Sequence, residues 1–129
     1  MATIKAYTDI EQSKKLAEIL PTESADMIWS LTNPDLPIIM AIPYEDSDYS
    51  NKHLNIIAAW SLIALLEVMP QKIFDGEFVI NITEGCDNKW VLTYDYYENR
   101  NYYRLFSGAD NLIDACVEMI EKLHELELI

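Results

Sequence analysis

Apolar residues recur along this chain in two rhythms, and the switches between them outline the expected fold. From Ile10 to Leu20 the rhythm is helical, with Ile10, Leu16, Ala17, Ile19 and Leu20 gathering on one side. Thr8-Asp9-Ile10-Glu11 has the form of a capping box, Thr8 taking a free amide and Glu11 reaching back, and Pro21 closes the segment. Between Ala25 and Leu31, Met27, Trp29 and Leu31 recur at period two, as in a strand. Thr32-Asn33-Pro34-Asp35 is turn chemistry leading to a second apolar run, Pro37 to Ile42, so a hairpin is the simplest arrangement. Pro43 to Lys52, rich in Tyr, Asp and Ser, reads as a solvated loop.

From Ala58 to Met69 the chain is apolar nearly all round, which a helix tolerates only when packed on several sides, so a central helix is expected there, ended by Pro70. Phe78, Ile80 and Ile82 then alternate with Val79, Asn81 and Thr83. After a turn at Glu84 to Asn88, period two resumes over Trp90 to Tyr97 and Tyr102 to Ser107, which predicts a three-stranded antiparallel meander. Gly108 breaks the meander, and Asn111 is placed to cap a closing helix whose Leu112, Cys116, Met119, Ile120, Leu123 and Leu126 form one apolar stripe. The expected fold class is α+β: N-terminal helix, hairpin, central helix, meander and C-terminal helix, with the helices packed on antiparallel sheet. Residues 1–129 contain no internal repeat, low-complexity tract or Gly/Ser linker, so one domain is expected.

Composition supports a packed domain. Half of the 129 residues are hydrophobic, with 3 Trp, 8 Tyr and 3 Phe, which is far from the composition of a disordered chain. The longest apolar run, Ile56 to Leu66, is broken by Ser61 and followed by Glu67 and Pro70, too short for a bilayer span. Met1 to Tyr7 turns polar at once, so a cleaved export signal is not expected. Two cysteines, Cys86 and Cys116, do not suggest a disulfide framework, and a cytoplasmic location with reduced thiols fits best.

Charge changes the picture most. The chain has 22 Asp+Glu against 9 Lys+Arg, a formal net charge of -13. Nucleic-acid affinity comes largely from cations that release counterions from phosphates, and here the cations are scattered. Direct binding to nucleic acid or to anionic membrane is therefore disfavoured, and a protein with a basic surface is the expected partner. The order helix, three strands, helix is also that of double-stranded-RNA-binding domains, but Asp110 and Asp114 stand where such a domain needs its basic cluster.

No catalytic signature is assembled in the sequence. There is no Gly-x-Ser-x-Gly elbow, and with 3 Gly there is no phosphate-cradling loop. Cys86 lies between Glu84 and Asp87, whose charges raise a thiol pKa. Glu121-Lys122-Leu123-His124 is one Glu-x-x-His step, but a di-iron centre needs two, so no metal and no cofactor are expected. His53, beside a loop bearing Asp46 and Asp48, is the residue on which a rival enzymatic reading rests.

Two surface features remain as candidates for binding. Asp114, Glu118, Glu121 and Glu125 follow at spacings of four, three and four, which sets four carboxylates along one helix face. Such a face is ordinarily just solvated; the functional alternative is an acidic ridge that steers and docks a basic protein. Tyr94 to Tyr103 carries five tyrosines, and because neighbours on a strand point to opposite faces, Tyr96 and Tyr97 cannot share one core, nor can Tyr102 and Tyr103. Cross-strand aromatic pairing is the ordinary role, and a contact surface the functional one.

Three stretches resemble a family of short uncharacterised proteins from gut anaerobic bacteria, often associated with their phages and mobile elements. They are Ala6 to Met27, Ala59 to Pro70 and Asn111 to Leu126. The likeness covers about half of the chain and implies no activity or site residue. Members often carry Pro where Leu112 stands, a residue suited to the first position of a helix. The function expected from all of this is a small acidic, non-catalytic protein-interaction module. Its sharper variant is an inhibitor or immunity-type protein that mimics nucleic-acid charge and blocks a basic enzyme. The rival class is an enzyme with a cleft near His53.

Overall fold

The computed structural model describes residues 5–41, 55–82 and 89–129. Helix α1 (Ile10–Ile19) begins one residue later than its sequence pattern suggests. Asp9 is the N-cap: its carboxylate accepts the Gln12 amide at 2.8 Å, and Gln12 Oε1 accepts the Asp9 amide at 3.1 Å. Thr8 is not free to cap, because its buried hydroxyl is shared with Ser13 Oγ at 2.8 Å and accepts the Trp60 amide at 3.1 Å. The helix buries Ser13 and Leu16, its C-cap Leu20 is buried after them, and Ala17 lies outside.

A short 3-10 turn, Thr22–Ser24, leads to β1 (Met27–Ser30), the middle strand of a three-stranded antiparallel sheet in the order β2-β1-β3. Its partners are β2 (Ile38–Ala41), completing the expected hairpin, and β3 (Ile56–Ala59). The deeply buried residue of β1 is Ile28, whereas Met27 and Trp29 are half-buried on the other face. Trp29 packs edge-on against Tyr7 at 5.7 Å and donates its indole N–H to Thr8 O at 2.9 Å. Both ends of its amphipathic ring are thereby used.

The expected central helix is corrected by β3. The apolar run is a strand followed by a helix, and α2 is only Leu62–Val68. Ile56 and Ile57, β-branched, pair with Ser30 and Trp29, and Ser61 then caps α2 by accepting the Ala64 amide at 3.3 Å. Asp26 holds that cap, accepting both the amide and the hydroxyl of Ser61. A strand and a helix that are both buried read as one unbroken apolar stretch, which is why periodicity does not separate them.

The second sheet is the predicted meander with a short additional strand, in the order β4-β5-β6-β7: β4 (Lys72–Ile73), β5 (Gly76–Ile82), β6 (Trp90–Glu98) and β7 (Asn101–Ala109). Asn99 and Arg100 join β6 to β7 with φ of 54° and 70°, a two-residue turn with both central residues left-handed. Such turns match strand twist but favour Asn-Gly. Arg100→Gly is therefore expected to raise stability by about 1 kcal/mol. The check is a higher urea midpoint at unchanged slope.

Helix α3 (Leu112–Glu125) is capped as expected, Asn111 Oδ1 accepting the Asp114 amide at 2.8 Å. Its buried arc, which includes Ile113, Cys116, Val117, Met119, Ile120 and Leu123, is wider than the stripe read from sequence, and Leu126 is exposed. The arc lies against α2 and against the face of the second sheet that carries Leu92, Tyr94 and Tyr96, forming one core with Leu16, Trp60 and Leu65. The fold is α+β, with three α-helices and two antiparallel sheets among the described residues. Among the described residues no helix is long and apolar enough to cross a membrane.

Candidate functional site

The tyrosine hairpin splits as strand geometry requires. Tyr96 opposes Tyr103 and Tyr97 opposes Tyr102, so each pair shares a face. Tyr96 is only 8% exposed, stacked between Phe74 (5.2 Å) and Tyr103 (5.4 Å), and it belongs to the core cluster. Tyr103 is partly open beside it. Tyr97 and Tyr102 lie on the other face, edge to face at 5.4 Å, 57% and 51% exposed. Tyr94, also inward, is fully buried and donates its hydroxyl to Pro70 O at 2.5 Å; burial raises its pKa.

Pair by pair, the face that carries Tyr97 and Tyr102 continues through Asp95 with Arg104, then Thr93 with Phe106, then Val79. Among the described residues no helix covers it: Phe106 is 55% exposed and Val79 44%. Arg104 grips Asp95 with two hydrogen bonds, Nε to Oδ1 at 2.7 Å and Nη2 to Oδ2 at 3.3 Å, and its guanidinium is the main reason the Asp95 carboxyl sits below its usual range. The Lys122 ammonium reaches from α3 to sit 4.9 Å over the Phe106 ring and donates to Phe106 O at 2.5 Å. An aromatic and aliphatic band with one internally neutralised ion pair is a composition suited to contact with another protein. Phe106 and Val79 were missed by the sequence reading. Their signal was present in Val79 standing in the opposite phase to Phe78 and Ile80.

The four carboxylates of the α3 face are not equivalent. Asp114 is tied into the fold, its Oδ1 accepting Lys5 Nζ at 2.9 Å and Gln12 Nε2 at 2.6 Å, and its Oδ2 accepting Asn111 Nδ2 at 2.8 Å. Lys5 also reaches Asp9 at 3.1 Å, so one ammonium joins the start of α1 to the start of α3. Glu118 pairs with Lys122 at 3.1 Å. Glu121 is half-buried and Glu125 exposed, neither with an ion-pair partner among the described residues. Burial alone would raise the Asp114 carboxyl, but hydrogen bonds from Lys5, Gln12 and Asn111 outweigh it and hold the pKa below normal.

A group whose folded pKa is depressed stabilises the fold above its unfolded pKa and loses that contribution as pH falls through the folded value. Stability is therefore expected to fall below about pH 4, and more shallowly in Asp114→Asn. Urea midpoints measured from about pH 6 to 2 provide the check.

Catalytic groups are sparse among the described residues. Cys116 is fully buried and its thiol is pushed up to about 12 by burial, so it stays protonated and is a poor nucleophile. Ser61 and Asp26 form a helix cap, and His124 is exposed near the end of α3. No cluster of three or more His, Cys, Asp or Glu side chains able to hold a metal occurs among the described residues. A shallow open groove is lined by Gln71, Lys72, Glu77 and Phe78, with Lys72 and Glu77 directly opposite each other in the β4–β5 pairing. His53, the loop from Pro43 to Lys52, and Cys86 lie outside the described residues. Comparisons with protein-family models, with curated proteins and with solved structures return no match.

Proposed function

We propose that this chain is a small non-catalytic interaction module of the cytoplasm that docks a protein bearing a basic surface. The observation that carries this reading is the uncovered face of the second sheet, where Tyr97, Tyr102, Phe106 and Val79 stand exposed on a chain of net charge -13. Aromatic side chains supply contact area at low entropic cost, while the net charge of -13 supplies steering and selects against acidic partners. Capture of partners from cells that express the protein, followed by titration with salt, tests it. Affinity is expected to fall several-fold between about 0.05 and 0.5 M salt. A partner whose binding ignores salt, or no partner at low salt, would count against electrostatic docking.

Glu121 and Glu125, without an ion-pair partner among the described residues, favour one sharper version, in which the chain imitates nucleic-acid charge and inhibits a basic enzyme, in keeping with the resemblance to proteins of phages and mobile elements. That version requires DNA or RNA to compete with this chain for the same enzyme. Lack of competition would remove it and leave the broader reading standing.

A further inference from the structure

The longest strand edge of the described fold is β7. The other outer strands are short, β4 of two residues and β2 and β3 of four each, whereas β7 runs for nine residues without proline. Two independent contacts fix which of its backbone groups point away from the sheet. The Tyr97 amide donates to Asp75 Oδ1 at 2.8 Å, on the side of β6 away from β7, so Tyr97 and Tyr102 are a pair that exchanges no backbone bonds. The Phe106 carbonyl accepts Lys122 Nζ, so it too faces outward. Alternation then places the backbone N–H and C=O of Tyr102, Arg104, Phe106 and Gly108 along the open edge. Among the described residues only the Phe106 carbonyl of these has a partner.

Natural proteins rarely leave a long straight edge open, because it is a template for another strand. Here, among the described residues, it is guarded at one point by a single ammonium. Lys122 bridges the Phe106 carbonyl at 2.5 Å and the Glu118 carboxylate at 3.1 Å. A strand laid against β7 would take that carbonyl for its own amide and displace Lys122, leaving Glu118 in need of another cation. We propose that β7 is a strand-addition site for an extended segment of a partner protein that carries a lysine or arginine, whose side chain takes over from Lys122 at Glu118. This rests on the interaction reading above and specifies its mode. A second copy of this chain is the poorer occupant, since two bodies of net charge -13 would meet, each bringing its own Lys122 to the same edge.

The test uses the full chain with three synthetic probes of about ten residues, a length that spans β7. One probe alternates Val or Thr with Lys, a second has Glu for Lys, and a third is the Lys probe with alternate amides N-methylated so that one strand edge cannot donate. Amide hydrogen exchange is read at Tyr102, Arg104, Phe106 and Gly108. The Lys probe is expected to slow exchange at these amides at least tenfold, while the Glu and N-methylated probes leave them exchanging. Lys122→Met, which removes the guard without touching the β6–β7 ladder, is expected to bind the Lys probe several-fold more tightly. Unchanged exchange with the Lys probe, or protection equal with all three, overturns the proposal. Protection that rises with protein concentration in the absence of any probe also overturns it, in favour of self-pairing. If a partner found by salt-sensitive capture binds while those four amides stay open, strand addition falls and the interaction reading stands; if neither partner nor probe binds, both fall.

Discussion

Trp60→Ala is expected to lower stability by about 4 kcal/mol, the largest effect of any single truncation in the chain. Trp60 is fully buried at the joint between β3 and α2. Its backbone is bonded twice to Thr8, with the Thr8 amide donating to Trp60 O at 2.9 Å and the Trp60 amide donating to Thr8 Oγ1. Its indole N–H donates to Ser24 Oγ at 2.9 Å. Truncation leaves a cavity between α1, α2 and the 3-10 turn and removes the donor that Ser24 accepts. Trp60→Phe keeps most of the apolar volume and loses the hydrogen bond, so its cost is expected to be about 1–2 kcal/mol. Denaturant midpoints for the two variants separate the cavity from the lost donor. A loss below about 1 kcal/mol for Trp60→Ala would mean that this joint does not organise the core.

Gly76→Ala is the second large effect, at about 3 kcal/mol. A Cβ at Gly76 would lie 2.1 Å from Asp95 O and 2.7 Å from Asp95 C, contacts with main chain that no rotamer change relieves. β5 would have to part from β6 where the β4–β5 turn closes, at the end of the sheet that carries Tyr96, Tyr97 and Phe74. The expected result is a lower midpoint accompanied by faster amide exchange in the second half of β6. An alanine variant as stable as wild type would contradict the close approach of these strands.

Most of the architecture was legible because each element carried local chemistry that agreed with its neighbours. Asn111 caps α3 as its residue type suggests, and the alternation of Leu92, Tyr94 and Tyr96 marks the inner face of β6. The errors came where tertiary partners override local pattern. Thr8 looks like a cap but is drawn into the core by Trp60 and Ser13, so the next residue takes the role. Ile56 to Ala59 reads as helix because it is apolar on every side, and only its pairing with β1 makes it a strand.

The candidate surface divides the same way. That Tyr97 points to the other face from Tyr96, and Tyr102 from Tyr103, follows from strand parity, but which face α3 covers does not. The tie from Lys5 to Asp114 spans 109 positions in sequence, and no local pattern reveals it. It removes Asp114 from the set of carboxylates free to meet a partner.

These features together locate the uncommitted surface. The acidic face of α3 is partly used to hold the molecule together, while among the described residues the outer sheet face carries its own aromatic pair, the Arg104–Asp95 clasp and the Lys122 ammonium over Phe106. Docking through that face is the central claim, and the dissociation constant of a captured partner for wild type and for the double variant Tyr97→Ser, Tyr102→Ser tests it most directly. Both rings are more than half exposed, so stability is expected to change by less than about 1 kcal/mol while affinity falls at least about tenfold. Equal affinity in an equally stable double variant would contradict the claim.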